Sequence, residues 1–257
     1  MTDRLHNTFR SKESILNIYF TAGYPKLNDT IKIAKQLYEN GVDMIEIGMP
    51  FSDPLADGLT IQNSSEIALK NGITIDLIFQ QVSEIRSEIS EIPIILMGYL
   101  NQLIQIGVEQ FLQKAKQAGV DALIIPDLPI EIYQSTYKPM FESYGIKICF
   151  LITPQTPLSR VKKISGICSG FLYMVSTFST TGNRLNLNNE LIQYFESIRN
   201  LNLEVPRLIG FGIHNKSGYK LASEYANGAI IGSAFIQSLK TNSTLNGNIT
   251  DFIKSIR

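Results

Sequence analysis

Apolar residues recur along this chain in short runs that do not alternate with polar ones. There are eight: "ILNIYFTAG" (15–23), "DMIEIG" (43–48), "IPIILMGY" (92–99), "ALIIPD" (122–127), "IKICFLITP" (146–154), "GFLYMVS" (170–176), "RLIGFGI" (207–213) and "GAIIGSA" (228–234). Strands buried on both faces read this way, as in a parallel sheet covered by helices. Helical periodicity lies between the runs. Leu27, Ile31, Ala34 and Tyr38 fall on one face at 3.6 spacing, as do Val108, Phe111, Leu112 and Ala115. Two stretches echo each other, "AKQLYENGVDMIEIG" and "AKQAGVDALIIPD". In each a helix is expected to stop at a glycine, Gly41 or Gly119, suited to the left-handed position after a helix end. Val-Asp and an apolar strand follow. "EYANGAIIGSA" repeats the idea at Gly228.

Eight strand–helix units in 257 residues predict an α/β fold, a single (β/α)8 TIM barrel. A doubly wound open sheet is the alternative, because the pattern does not itself require closure. No Ser/Gly/Pro-rich linker interrupts the chain, so residues 1–257 read as one domain. The opening "MTDRLHNTFRSKES" is polar, lacks an apolar signal core, and reads as an extra amphipathic N-terminal helix of an unsecreted protein. "NSTLNGN" (242–248) reads as a loop before a short terminal helix.

Composition alters this picture little. With 23 basic and 23 acidic residues, bulk charge gives no case for nucleic acid or an anionic membrane as partner. No apolar run is long enough to span a bilayer. Cys149 and Cys168 adjoin apolar runs and are expected as reduced core residues, not a disulfide or a metal pair. The expected location is the cytoplasm, or a plastid stroma if the gene is organellar.

In barrels of this kind the chemistry gathers at the C-terminal ends of the strands. Those ends carry Tyr24, Glu46, Tyr99, Asn101, Asp127, Thr153, Ser176, Gly212 and Ser233. None is a lysine, which disfavours Schiff-base chemistry. The only histidines are His6 and His214, which disfavours a zinc site, and no metal is expected. Carboxylates and tyrosines remain for proton transfer.

The stretch "EIGMPFSDPLADG" (46–58) puts a carboxylate at the end of an apolar strand and two more on a proline-pinned loop. If Glu46 faces the barrel mouth, partial burial raises its pKa into the range of a general acid or base. Otherwise it is a buried carboxylate satisfied by backbone donors. Asp53 suits an Asx turn of its own loop. Asp57 suits either catalysis or an N-cap. Glycines follow the last three strands, in "STTG" (179–182), "GFG" (210–212) and "GSA" (232–234). Their backbone N–H groups, with the Ser233 hydroxyl, fit a phosphate, or they are ordinary turn positions. His214 reads as a loop residue or a neighbour of an N-cap. Asp127 reads as a partner contact or a loop tether.

These residues resemble a known family. "EIGMPFSDPLADGLTIQ" (46–62), "YFTAGYP" (19–25), "GVDALIIPDLP" (119–129), "LITPQTP" (151–157), "GFGI" (210–213) and "GAIIGSA" (228–234) are similar, in order, to the signature of the tryptophan synthase α chain. The resemblance implies a (β/α)8 lyase that splits indole-3-glycerol phosphate into indole and glyceraldehyde 3-phosphate by a retro-aldol reaction. It implies Glu46 and Asp57 as catalytic residues, and Gly182, Gly212, Gly232 and Ser233 around the substrate phosphate. Tyr173 matches a tyrosine near the catalytic glutamate. Tyr19, Tyr99 and Phe211 match positions lining the indole pocket, Tyr19 standing where phenylalanine is more usual. Thr181 matches a threonine that meets the catalytic aspartate.

The resemblance further implies a β-chain partner in an α2β2 heterotetramer. Pyridoxal phosphate is expected in that partner, and no cofactor in this chain. Candidate contacts are the loops Pro50–Gly58, Asn101–Gly107 and Leu128–Tyr133. One segment departs from the family: in "STFSTTGNR" (176–184), Phe178 and Ser179 stand where a small residue and a glycine are usual. That leaves the catalytic groups intact but puts loop closure and regulation in question. The competing readings are a free-standing indole-releasing lyase, an inactive barrel kept as a binding subunit, and, against the 46–58 match, a sugar-phosphate isomerase.

Overall fold

The computed structural model describes residues 3–54, 57–176, 189–210, 212–240 and 244–257. Eight parallel strands close into a barrel in chain order: β1 (Ile15–Thr21), β2 (Met44–Gly48), β3 (Ile94–Met97), β4 (Ala122–Ile124), β5 (Lys147–Ile152), β6 (Leu172–Val175), β7 (Arg207–Gly210) and β8 (Gly228–Ile231). Each lies inside one of the eight apolar runs. β8 pairs with β1 through Ile15↔Gly228 to Ile18↔Ile231, so closure is direct and the open sheet is excluded.

The helices are α1 (Arg4–Ser11), α2 (Asp29–Glu39), α3 (Leu59–Lys70), α4 (Ile75–Glu88), α5 (Leu100–Ile106), α6 (Val108–Ala118), α7 (Ile130–Ile132), α8 (Lys138–Tyr144), α9 (Leu158–Ser165), α10 (Asn189–Arg199), α11 (Lys216–Tyr225), α12 (Ser233–Ser238) and α13 (Leu245–Ile256). A π-helical turn, Tyr133–Tyr137, joins α7 to α8. The expected extra N-terminal helix is α1. Its Leu5 and Phe9 plug the N-terminal mouth of the barrel, Phe9 lying 5.9 Å from the Phe171 ring.

The apolar residues divide into two cores. Ile15, Met44, Ile95, Ala122, Phe171, Leu208 and Ile230 fill the barrel interior. Alternate strand positions such as Leu16, Ile18, Ile45 and Ile94 face the helices. Both faces of the strands are therefore largely covered by apolar packing, which is why the runs do not alternate.

The repeated Gly-Val-Asp has a geometric meaning. Gly41 and Gly119 take positive φ, +80° and +85°, ending α2 and α6. Asp43 then donates its N–H to Leu16 O (3.0 Å) and accepts the Leu16 N–H on its carboxylate (2.8 Å). Asp121 does the same to Ile94, at 2.9 Å in both directions. Each aspartate thus fixes the start of the preceding strand. The third copy is built differently from the expectation. Asn227 takes the aspartate's place, exchanging both bonds with Arg207 at 2.9 Å. Gly228 opens β8 instead of ending a helix, at φ +150° with the Ile15 carbonyl where a Cβ would go.

Three other expectations change. The buried face of α2 is Thr30, Ile33, Ala34 and Leu37, and Tyr38 is 43% exposed. Ile33 and Leu37 outweigh the neighbouring stripe through Ile31 and Tyr38. Asn101–Gly107 and Leu128–Tyr133, read as loops, are largely helical. Asp127 accepts the Leu100 N–H at 2.9 Å, and Gln102 Oε1 accepts the Tyr99 N–H at 2.9 Å, which starts α5 early. Likewise Thr244 accepts the Gly247 N–H at 3.2 Å and starts the 12-residue α13 inside the stretch read as a loop.

Candidate active site

Inward-facing positions on β1, β2 and β6, with the loop after β2 and the turn after β3 that caps α5, bring five of the predicted residues together: Glu46, Asp57, Tyr19, Tyr99 and Tyr173. Glu46 is 1% exposed and faces the barrel interior. The backbone-satisfied alternative fails. Its Oε2 accepts the Asn17 amide N–H at 2.9 Å, and its Oε1 meets no partner among the described residues. Burial, joined by the charge of Asp57 and opposed by the Asn17 bond, pushes the Glu46 pKa up to about 8.

Asp57 does not cap α3. The cap position is Gly58, and the Asp57 carboxylate accepts the Tyr99 hydroxyl at 3.0 Å instead. Burial raises its pKa, and the tyrosine bond opposes the rise. The Asp57 carbonyl accepts from Gln62 Nε2 at 2.7 Å, tying the loop to the first turn of α3. Asp53 is exposed and accepts the hydroxyl of its neighbour Ser52.

Two tyrosines reach this site by one device. Tyr19 pairs with Glu46 across β1 and β2, and leans one step up, over Gly48. Tyr173 pairs with Leu208 across β6 and β7, and leans over Gly210. A Cβ on Gly48 would stand 2.1 Å from the Tyr19 hydroxyl, and one on Gly210 2.4 Å from the Tyr173 ring. These glycines are empty space reserved for rings. Burial raises both tyrosines well above the ordinary phenol range.

Gly212, at φ +77°, follows β7, and Gly232 and Ser233 follow β8, Ser233 opening α12. Gly232 adjoins the Tyr19 ring, so the β8 end stands beside the tyrosine that neighbours Glu46. Thr181, Gly182 and Phe211, and Phe178 and Ser179 of the unusual loop, lie outside the described residues. His214 is indeed the neighbour of an N-cap. Asn215 caps α11 by accepting the Gly218 N–H at 2.9 Å, and His214 Nδ1 lies 2.8 Å from Gly212 O.

Sequence reading missed Asn17. The signal was a lone amide inside an apolar strand, which calls for a buried polar partner. It also missed Ser64, whose hydroxyl lies 2.6 Å from that of Thr21, at the top of β1. Among the described residues no cluster of three His, Cys, Asp or Glu side chains is arranged to hold a metal ion. No helix among them is long and apolar enough to cross a membrane.

A buried acid with a raised pKa, a second carboxylate bonded to a phenol, and three tyrosines around them form a site able to exchange protons. Residues 5–255 match the family model described as tryptophan synthase alpha chain. The chain belongs to the tryptophan synthase alpha chain family. It is 50% identical over 255 residues to the tryptophan synthase alpha chain of Flavobacterium johnsoniae, covering 99% of this chain and 100% of that one. It is 48% identical to that of Karelsulcia muelleri, covering 95% of each. Among solved structures, the alpha subunit from Legionella pneumophila superposes with a TM-score of 0.90 at 30% identity, over 100% of this chain and 97% of that one. A chain of the Pyrococcus furiosus tryptophan synthase complex gives 0.84 at 33% identity, over 95% and 98%.

Proposed function

We propose that this chain cleaves indole-3-glycerol phosphate to indole and glyceraldehyde 3-phosphate, with Glu46 as the shuttling acid and base. The observation that carries this reading is the raised, buried carboxyl of Glu46 beside a differently held carboxylate at Asp57. With a pKa of about 8, Glu46 is mostly protonated at pH 7 and begins as the acid. It gives its proton to ring carbon 3, which turns the ring into a leaving group. It then takes the proton of the adjacent glycerol hydroxyl as the carbon–carbon bond breaks and the aldehyde forms. The bonding electrons return to the ring, and Glu46 ends as it began. Asp57, whose carboxylate also accepts the Tyr99 hydroxyl, takes the hydrogen bond of the indole N–H while positive charge builds on that nitrogen.

Tyr19, Tyr99 and Tyr173 fit the walls of the ring pocket, and Gly212, Gly232 and Ser233 fit the phosphate end. The family resemblance alone assigns Phe211 to the ring wall, Gly182 to the phosphate and Thr181 to Asp57. The test is Glu46→Gln assayed for indole release from indole-3-glycerol phosphate. Loss of at least about 10²-fold in turnover is expected. Near-normal turnover would overturn the role of Glu46.

The partner fitting this reading is a β chain that carries pyridoxal phosphate and consumes the indole, in an α2β2 assembly. Support comes from the barrel's C-terminal side, where Leu59 is 76% exposed and Ile104 54% exposed. A groove of about 280 Å³ lies there between Pro50–Ser52 and Gln102–Ile106. A free-standing lyase is the competing reading. It predicts that turnover is high alone and unchanged on adding a β chain. The cytoplasm is the compartment this pathway role implies.

A further inference from the structure

We propose that Asn17 is a positioning residue for Glu46: by occupying Oε2 it reserves Oε1 for the proton exchanged with substrate. The proposal rests on the reading of Glu46 as the proton-transfer group. Asn17 is fully buried in the middle of β1 and pairs in register with Met44. Its side chain leans one step up the neighbouring strand to Glu46, the same diagonal by which Tyr19 reaches Gly48. A buried amide in a barrel interior is costly unless it is bonded. Its Oδ1 has no partner among the described residues, so the Nδ2–Oε2 bond is the contact that orients it.

The chemistry follows from which atoms are committed. Asn17 Nδ2 donates to Oε2 whether Glu46 is a carboxylate or an acid, because the carbonyl oxygen of an acid also accepts. A proton on Oε2 would face the amide hydrogens, so the acid's proton sits on Oε1. Oε1 then gives that proton to ring carbon 3 and takes the one from the glycerol hydroxyl. The other titratable groups facing Glu46 are Asp57 from the loop after β2, Tyr19 from β1, Tyr173 from β6 and Cys149 from β5. Each becomes negative on ionising. Asn17 is the neighbour that favours the Glu46 carboxylate. Without it the two carboxyl oxygens become equivalent, the side chain can turn, and the proton is no longer aimed.

The test is the full chain carrying Asn17→Leu, assayed from pH 6 to 10 beside wild type and Glu46→Gln. Turnover is expected to fall at least about tenfold with KM nearly unchanged. The alkaline limb of kcat is expected to move up by about one pH unit, because a hydrogen bond to the charged form has been removed. If Asn17→Leu does not fold, Asn17→Asp keeps the volume and is expected to move the limb the same way through like-charge repulsion. An unshifted limb in a folded variant, or a loss confined to KM, overturns the proposal. If that occurs while Glu46→Gln is inactive, the Glu46 reading stands and only the role of Asn17 fails. If Glu46→Gln keeps its turnover, both fail.

Discussion

The Tyr99 hydroxyl donates to Asp57 Oδ2 across 3.0 Å, linking the cap of α5 to the loop after β2. A residue matched to the ring pocket is therefore also a partner of the second carboxylate. Tyr99→Phe keeps the ring and its 5.3 Å contact with Phe51, and removes the donor. The Asp57 pKa then rises further, since the tyrosine bond opposes the shift that burial causes. The expected result is a kcat/KM lower by about tenfold, the size of a hydrogen bond to a charged group. The deficit should widen as pH falls and the anion is lost. A profile parallel to wild type at every pH would show that Asp57 does not depend on Tyr99.

Glu46 should weaken the fold that holds it. Its pKa rises from 4.5 in the unfolded chain to about 8 in the folded one. Between those values the native state holds a proton that the unfolded state has released. This contribution to stability is complete below pH 4.5 and is lost as pH rises through 8. Over about 3.5 pH units the difference reaches on the order of 5 kcal/mol. Glu46→Gln removes the charge, so the variant should be more stable than wild type at pH 9, with the gap shrinking toward pH 4.5. Urea midpoints of both proteins at pH 4.5, 7 and 9 decide it. A gap that is the same at all three values would count against the raised pKa.

The barrel was legible because burial on both faces leaves uninterrupted apolar runs, and each run contains one strand. Local pattern could not give closure, which rests on Ile15 meeting Gly228 some 200 residues away. It also misplaced the face of α2, because Ile31 and Ile33 both offer an apolar stripe and only packing chooses between them. At the site, Glu46 stood out by its acidity inside an apolar run, whereas Asp57 was open between catalysis and an N-cap until the family resemblance assigned it. The partner of Asn17, itself visible as a lone amide in an apolar strand, and the roles of Gly48 and Gly210 could not be read, since each works diagonally across a strand pair. That relationship depends on register, and register is absent from any single segment.

At the opposite end of the barrel, Asp121 is the joint where β4, β3, α1 and α4 meet. One carboxylate oxygen accepts Arg4 at 2.9 Å, and the other accepts Arg86 and the Ile94 N–H, each at 2.9 Å. Arg86 is itself largely buried, and also donates to the carbonyls of Gly119, Ile89 and Ile92. Burial lowers its pKa to about 10 against the pull of Asp121. Asp121→Ala therefore strands a buried guanidinium and an unpaired strand N–H. The expected loss is about 3 kcal/mol of stability, as when one partner of a buried ion pair is removed. Lys70→Ala, which breaks the exposed Glu66–Lys70 pair on α3, should leave stability unchanged. Because Asp121 sits away from the catalytic mouth, kcat of the folded fraction should stay near wild type at low temperature. Denaturant midpoints and kcat measured on the same samples test both halves, and equal midpoints for the two variants would refute the account.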